Sequence, residues 1–453
     1  MTAADLQNDG STTPLEALRA ALGGGTMRNV ARLLSALNPA EIAALLESLP
    51  PEQRRLLWPL VEPAEHGDVL VELNEEVRSR LIADLQPEQL VEAVANLELD
   101  DLADLVRELP EAVNREVLRS LNESDRRRLE AVLGYDEDTA GGLMNPDTLT
   151  VRGDVTVEVV LRYLRMRKEL PSGVDGVFVV SRDGHYRGSL SFAKLLTSDP
   201  DELVADLMST EPPSVPATMP ATEVATFFEN YDLVSAPVTD ENGMLLGHIT
   251  VDDVVDVIRE EASHSVLSMA GLDEDDDMFA PVTVSARRRF VWLGVNLAAA
   301  FVAARVAGLF EATLEEVVAL AILLPIVPSM GGVAGNQTMV LITRGLALGR
   351  VARSNARWLL VKELGVAVLN SVSWATVVAL VTSWWFGTWR VGLVIAAALA
   401  VNLLCAALAG FGVPLTLKRL RVDPALAGGV VVTTITDVVG IAAFLGLGTL
   451  ILT

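Results

Sequence analysis

Apolar residues follow three different patterns along the chain. From about residue 14 to residue 133 they recur every three or four positions, with short polar breaks, which predicts a series of helices. Between about 141 and 261, short β-rich runs alternate with helical segments, and this order occurs twice. Beyond Pro281 the apolar runs become much longer. The expected fold class is multidomain: an all-α helical solenoid domain, an α/β domain pair and a polytopic α-helical membrane domain.

Five long apolar stretches follow Pro281, and each can cross about 30 Å of hydrocarbon at about 1.5 Å per residue. They lie at roughly 290–309, 317–342, 358–386, 391–417 and 425–451. The first ten residues are polar and acidic, so no cleaved signal peptide is expected and the internal helices must direct membrane entry. The single cysteine, Cys405, rules out an intrachain disulfide framework.

The parts of the chain before and after Pro281 also differ sharply in charge. Residues 1–280 carry 54 Asp and Glu against 22 Lys and Arg, whereas residues 281–453 carry 6 against 13. Basic residues cluster before the first apolar stretch, between the second and third, and between the fourth and fifth. The positive-inside rule then predicts that the acidic part is cytoplasmic and that the C-terminus is outside.

Asp437 lies in the middle of the last apolar stretch. A carboxylate at that depth is costly unless it meets water, a cation or a partner, so it marks a candidate functional site. Gly429, Thr433, Thr436 and Gly440 surround it at spacings of three or four, which gives one small and polar helix face. This pattern is typical of a helix that lines a passage. The alternative is an ion pair with a basic residue near the end of another span, such as Arg305 or Lys362.

The second apolar stretch contains a glycine-rich polar insert. Pro325 and Pro328 are expected to interrupt the helix, and the insert at 330–338 follows them. Irregular backbone at membrane depth is tolerated only where it is buried in protein or lines a watery cavity. The insert supplies the candidate ion-facing residues Gly331, Gly332, Gly335, Asn336 and Gln337. The alternative is that the glycines only allow helices to pack closely.

The repeated β-rich region resembles a tandem pair of CBS domains, which are βαββα modules that often bind adenosine ligands. The second copy ends in Gly-x-Ile-Thr-x-x-Asp, and the resemblance implies that Thr250 and Asp253 would contact phosphate and ribose hydroxyls. The matching positions of the first copy are Ser191 and Lys194, so the acid is missing there. We therefore expect at most one site for ATP or another adenosine nucleotide; a purely structural pair is the alternative.

Taken as a whole, the chain resembles the MgtE family of magnesium channels and transporters. The resemblance rests on the acidic motif at 100–105, the stretch 231–258, the glycine-rich insert, and Asp-Pro-Ala at 423–425 followed by Asp437. Many family members carry Asn directly after the Gly-Gly pair, where this chain has Val333. The implied domains are an N-terminal helical domain (1–135), CBS 1 (136–205), CBS 2 (206–261), a connecting or plug helix (262–285) and a five-helix membrane domain (286–453).

The resemblance implies a homodimeric, Mg²⁺-selective channel of the cell inner membrane that cytosolic Mg²⁺ closes. Mg²⁺ keeps its waters, so two copies of Asp437, with Thr433 and backbone oxygens near Gly429, would hold a hydrated ion across the dimer axis. Mg²⁺ would also bind between cytoplasmic acids and draw their domains into a compact state. These regulatory candidates are Asp100, Asp101, Asp104, Asp232, Asp252, Asp253, Asp256, Glu260 and Glu261. An acidic face that is only solvated is the alternative. The acidic run 273–277 is expected to be a solvated linker, with a local cation site as the alternative.

Other functions are weighed against this expectation. The pathway could carry another divalent cation such as Co²⁺ or Mn²⁺, although the expected pore face has no Cys or His, and only Met330 borders the insert. A membrane enzyme is disfavoured because Glu363 is the only other acid within a span and no Ser-His pairing is present. A CBS sensor without transport would leave Asp437 without a role. The expected partners are Mg²⁺, a second copy of the chain and the lipid bilayer, with no nucleic acid.

Overall fold

The protein is described by a computed structural model that covers Leu18 and residues 27–167, 170–171, 173–211, 213–272, 277–347, 350–352 and 354–453. The chain divides into two compact units. The acidic unit comprises residues up to Ser263 together with Asp275–Ala280. The membrane unit comprises His264–Glu274 and Pro281–Thr453.

Short helices build the N-terminal part of the acidic unit, as the three-and-four spacing predicts. They are α1 Met27–Leu34, α2 Pro39–Glu47, α3 Pro51–Leu57, α4 His66–Glu72, α5 Glu75–Asp84, α6 Pro87–Ala93, α7 Leu99–Glu108, α8 Glu111–Ser120 and α9 Glu123–Leu133. Proline stands at the first position of α2, α3 and α6, where its missing N–H costs no helical hydrogen bond. Asn38 and Glu41 form a capping box on α2, and Asn74 and Asn122 cap α5 and α9. The polar breaks of the sequence are thus start signals for the next helix.

Two copies of a three-stranded sheet follow. The elements are α10 Ala140–Leu143, β1 Thr150–Arg152, α11 Val157–Met166, β2 Gly176–Val180, β3 Tyr186–Ser191, α12 Phe192–Thr197, α13 Val204–Leu207, β4 Val215–Pro216, α14 Ala221–Tyr231, β5 Ser235–Thr239, β6 Leu245–Thr250 and α15 Val251–Leu267. In each sheet the first strand is parallel to the second, and the second is antiparallel to the third. Gly184 and Gly243 occupy left-handed backbone at equivalent hairpin turns. This is the predicted α/β pair.

The hydrophobic core joins the helices to the second sheet. Buried side chains of α2, α4, α7 and α9 belong to the same cluster as Val215, Val238 and Ile249 of the second copy. The first copy has its own core around Val177, Val179 and Leu190. The N-terminal helices therefore pack against one half of the pair, so residues of α7 and of α15 can share an interface.

The acidic run at 273–277 was expected to be a solvated linker. Residues 273–276 lie outside the described residues, but Asp277 contradicts the expectation because its side chain is only 1% exposed and pairs with Arg54. A buried carboxylate requires such a partner. The segment after the run is therefore held on the acidic unit.

Long apolar helices form the membrane unit. They are α16 Val282–Gly308, α17 Glu311–Glu316, α18 Val318–Leu323, α19 Ile326–Ala347, α20 Ala356–Phe386, α21 Trp389–Arg419 and α22 Pro424–Leu452. Counting α18 and α19 as one span, the described residues contain five helical spans that are long and apolar enough to cross a bilayer. The predicted polytopic membrane domain is confirmed, and α21 is its most buried span.

The second span breaks at Pro325, as predicted, but Pro328 and the glycine-rich stretch do not interrupt it. The helix is interrupted at 324–325, between α18 and α19, whereas the glycine-rich stretch 330–338 is fully helical within α19. Pro325 accounts for the break because it lacks an N–H and clashes with the preceding turn. Pro328 lies in the first turn of α19, where proline is tolerated. The insert is thus a small-residue helix face, not irregular backbone.

Candidate functional site

The carboxylate of Asp437 is half-buried in the middle of α22. Within the part of the chain that the structure describes, it makes no hydrogen bond and no ion pair. One turn earlier, the Thr433 hydroxyl donates to the backbone oxygen of Gly429 at 2.9 Å and to that of Val430 at 3.1 Å. The space beside Gly429 is open, because a Cβ placed there would meet no atom within 4 Å. This face of α22 can accept a ligand.

Helix α19 places part of its glycine-rich stretch opposite the same face. A Cβ at Gly332 would lie 3.8 Å from the Thr433 methyl and 4.0 Å from the Thr436 hydroxyl. Asn336 and Gln337, one turn further, are exposed. Val333 is also exposed, at 58%. Gly332 therefore lies against the Thr433 face of α22, whereas Val333, Asn336 and Gln337 occupy exposed positions of α19.

Two of the predicted ion-facing glycines lie at helix contacts instead. A Cβ at Gly331 would meet the Asn402 amide nitrogen at 2.1 Å, and a Cβ at Gly335 would meet Val432 at 2.6 Å. Both glycines are buried. Close approach of neighbouring helices explains them, which is the alternative that the sequence left open. We therefore correct their role to packing.

The basic residues considered as partners of Asp437 do not bond to it. Lys362 donates to Glu363 at 2.6 Å, and the other carboxylate oxygen of Glu363 accepts from Thr338 at 3.3 Å. Glu363 is buried, so this local pair satisfies it. The second acid within a span is thus neutralised locally, which distinguishes it from Asp437.

In the acidic unit, Asp100 and Asp101 of α7 come close to Asp253 of α15. Burial, followed by the charges of Asp100 and Asp253, raises the pKa of Asp101 to about 8. Burial also raises the pKa of Asp253 to about 8, with contributions from Asp100 and Asp252. The pKa of Asp100 rises to about 6, again mainly through burial. These carboxyl groups, which we call the acid cluster (Asp100, Asp101 and Asp253), repel one another when ionised.

The other predicted regulatory acids are more exposed than the acid cluster. Asp104 is half-exposed and pairs with Arg107 at 3.1 Å. Asp256 is exposed and pairs with Arg259 at 3.3 Å. Asp232 ends α14 in left-handed backbone. The remaining members are exposed positions on α15: Asp252, Glu260 and Glu261. Only part of the predicted set therefore forms a cluster.

The acid cluster is suited to a hydrated cation. Within the described ranges, no group of three or more His, Cys, Asp or Glu side chains is arranged to hold a metal ion directly. Mg²⁺ usually keeps several waters and binds through one or two carboxylates. Two or three crowded carboxyl groups with raised pKa values supply the charge that such an ion would neutralise.

The predicted nucleotide residues contact each other. The Thr250 hydroxyl donates to the Asp253 carboxylate at 3.0 Å, and the Thr250 backbone N–H donates to the same oxygen at 3.3 Å. Thr250 is buried, and Gly173 of the first copy lies against it. Asp253 is therefore shared between this local bond and the acid cluster, so a nucleotide would have to displace an existing contact.

Sequence reasoning missed two polar residues of these sites. Glu98, which precedes α7, accepts a hydrogen bond from Asn145 at 2.8 Å and adds its charge to the acid cluster. Its position in the sequence, two residues before Asp100, could have indicated that it belongs near the acid cluster. Asn402 is buried within α21. A single amide side chain in an apolar span could have been recognised from the sequence as a candidate functional residue.

Family models match each of the three parts of the chain. A family model described as a divalent cation transporter matches residues 324–447, one described as the MgtE intracellular N domain matches 37–138, and the CBS domain model matches 140–200 and 204–260. Two similar solved structures each cover about half of the chain. The cytosolic domain of the Mg²⁺ channel MgtE in complex with ATP is 34% identical over 54% of this chain and 99% of that one, with a TM-score of 0.49. The soluble part of a magnesium transporter is 27% identical over 55% of this chain and 98% of that one, with a TM-score of 0.47.

Relatives match over almost their full length. A protein of Thermus thermophilus named magnesium transporter MgtE is 33% identical over 96% of this chain and 98% of its own. A Bacillus subtilis protein of the same name is 27% identical over 94% and 95%. With the helical domain, the CBS pair and the five spans in this order, the chain belongs to the MgtE family.

Proposed function

We propose that this protein is a Mg²⁺ transporter of the cell membrane whose ion pathway is lined by Asp437. The carboxylate in α22 without a bonded partner among the described residues carries the proposal, because a charge at that depth requires a cation or water. The names of the Thermus and Bacillus relatives support Mg²⁺ as the ion. Thr433 lies one turn before the carboxylate, and the open space beside Gly429 on the same helix supports access for an ion.

The transporter is proposed to work as a homodimer. One carboxylate provides too little charge for a divalent ion, and a two-fold axis beside α22 would supply a second Asp437. The exposed residues Val333, Asn336 and Gln337 on α19 support this, since they leave one face of the unit uncovered. The arginine-rich connections support an orientation with a cytoplasmic N-terminus and an extracytoplasmic C-terminus.

Cytosolic Mg²⁺ is proposed to close the pathway through the acid cluster. When the ion neutralises Asp101 and Asp253, α7 and α15 can remain packed together; without it, their charges drive them apart. Helix α15 continues covalently into the segment His264–Ala270, whose last turn packs on α22. His264 also contacts Asp423, at the start of α22, at 3.2 Å. Movement of α15 can therefore reach the helix that carries Asp437.

The Thr250–Asp253 pair is the proposed contact for ATP or another adenosine nucleotide. A nucleotide there would compete for the Asp253 carboxylate and so couple its binding to the acid cluster. Titration calorimetry of the purified chain with ATP, with and without Mg²⁺, tests this. Thr250→Ala should weaken binding, and absence of heat in the wild-type protein would refute the site.

Reconstitution into liposomes tests the main proposal. Mg²⁺ uptake should exceed that of protein-free vesicles, and millimolar Mg²⁺ on the side of the acidic unit should reduce it. Parallel measurements with Ca²⁺, Mn²⁺ and Co²⁺ separate a Mg²⁺ pathway from one for another divalent cation. No uptake of any of these ions would refute transport.

A further inference from the structure

Asn402 lies in the middle of α21, the most buried span. Its side chain is 0% exposed, and its amide nitrogen donates to the backbone oxygen of Val327, on α19, at 2.8 Å. The amide oxygen has no hydrogen-bond partner among the described residues. Burial of an amide in apolar surroundings is unfavourable unless it is hydrogen-bonded, so the bond to Val327 is needed to hold this side chain in place.

Two glycines on different helices make room for this amide. A Cβ at Gly331 of α19 would lie 2.1 Å from the Asn402 nitrogen, and a Cβ at Gly440 of α22 would lie 2.7 Å from it. Neither distance is compatible with a real side chain. Asn402 therefore occupies a crevice that α19 and α22 form together, and it contacts both helices.

These contacts adjoin the ion-facing residues. Gly331 precedes Gly332, which faces Thr433, and Gly440 lies one turn beyond Asp437. The width of the crevice thus determines how far apart the two polar faces stand. Discrimination among hydrated cations depends on the size and rigidity of such a site.

We propose that Asn402 is a positioning residue for ion permeation, which sets the spacing between α19 and α22. The inference rests on the proposed transport function for its permeation part, whereas the packing part is independent of transport. The amide acts as a spacer that bonds one helix and fills a recess in the other. Replacing it changes the distance between Gly332 and the Asp437 face without removing any ion-facing group.

Compensation between Asn402 and Gly331 tests the packing part. In purified full-length protein, Gly331→Ala should lower the thermal unfolding midpoint by about 5 °C or more, because the new methyl group collides with the amide. Adding Asn402→Ala should restore at least about half of that loss, because it removes the colliding atoms. Gly412→Ala, on α21, is the matched control, since a Cβ there meets nothing within 4 Å. If the two substitutions lower the unfolding midpoint additively in the double variant, the spacing role of Asn402 is wrong.

Ion flux tests the permeation part. Asn402→Leu keeps most of the volume but loses the hydrogen bond, so the Mg²⁺-to-Ca²⁺ flux ratio per folded protein should change by about threefold or more. Gly412→Ala should keep the wild-type ratio. An unchanged ratio in Asn402→Leu, or one explained by loss of folded protein, would overturn the positioning role. A wild-type protein without flux would instead refute the proposed function, and the compensation result would still decide the spacing role.

Discussion

Arg54 and Asp277, 223 positions apart in sequence, form a buried bidentate ion pair. The two guanidinium nitrogens donate to the two carboxylate oxygens at 2.7 and 2.8 Å. Arg54 also donates to the backbone oxygens of Leu46 and Glu47, and Arg80 donates to Asp277. The pair holds the segment before Pro281 on the N-terminal helices, so the acidic unit includes the residues that lead into α16.

Loss of one member of this pair should be strongly destabilising. Asp277→Ala leaves Arg54 buried without its partner and is expected to lower the free energy of unfolding by about 3 kcal/mol. Arg55→Ala is the control, because Arg55 is 61% exposed and its pair with Asp84 should contribute less than about 1 kcal/mol. Thermal unfolding of the full chain in detergent measures both. Equal shifts for the two variants would contradict the account.

The acid cluster predicts that stability falls as pH rises. Asp101 and Asp253 have folded-state pKa values of about 8, above their ordinary value of 3.8, so the folded form retains protons that the unfolded form releases. Without Mg²⁺, the free energy of unfolding should therefore decrease across the interval from about pH 4 to about pH 8. Unfolding midpoints at pH 6 and pH 8.5 test this. Addition of Mg²⁺ should raise the unfolding midpoint more at pH 8.5 than at pH 6, because fewer protons compete with the ion for the carboxylates. A larger rise at pH 6 would argue against ion binding at the acid cluster.

Neutral substitutions in the acid cluster should imitate bound Mg²⁺. At pH 8.5, above the pKa values of about 8, Asp101→Asn and Asp253→Asn each remove one repelling charge, so protease resistance of the acidic unit without Mg²⁺ should rise and its dependence on Mg²⁺ should weaken several-fold. Glu241→Gln, at an exposed turn between β5 and β6, is the control for charge alone. If all three variants retain the wild-type Mg²⁺ response, sensing lies elsewhere.

The start of α22 should depend on Asp423. Its carboxylate accepts hydrogen bonds from the backbone N–H groups of Ala425 at 2.9 Å and Leu426 at 3.2 Å. Asp423→Ala should lower the stability of the membrane unit by about 1 kcal/mol, whereas Asp423→Asn keeps an acceptor and should lower it less. Thermal unfolding in detergent distinguishes them. An Asn variant as unstable as the Ala variant would show that the contact with His264 matters more than the cap.

Local patterns in the sequence were sufficient for most elements. The helical repeat, the two β-rich copies and the five apolar spans are all present in the predicted order, because residue periodicity and turn residues mark them. The break at Pro325 was predictable, but the conformation of the glycine-rich stretch was not, because such sequence suits both irregular backbone and tightly packed helix. Only the neighbours Asn402 and Val432, on other helices, decide between them.

Long-range partners could not be predicted in the same way. Nothing near Asp277 in sequence indicates that Arg54 will neutralise it, so the run appeared solvated. Likewise, the family resemblance gave Asp232 and Asp253 alike as regulatory candidates, but the packing of α7 against the second CBS copy brings Asp253 close to Asp100 and Asp101. Asp437 could be identified as a candidate from the sequence alone, because a carboxylate in the middle of an apolar stretch is visible without knowledge of its neighbours in the fold.

Mg²⁺ uptake by liposomes that contain Asp437→Ala tests the central claim most directly. Glu316→Gln, an exposed acid on α17, is the matched control. Asp437→Ala should reduce uptake per folded protein at least about 100-fold, because the pathway loses the carboxylate proposed to hold the ion, while Glu316→Gln should transport as the wild type does. Wild-type uptake by Asp437→Ala would contradict the account.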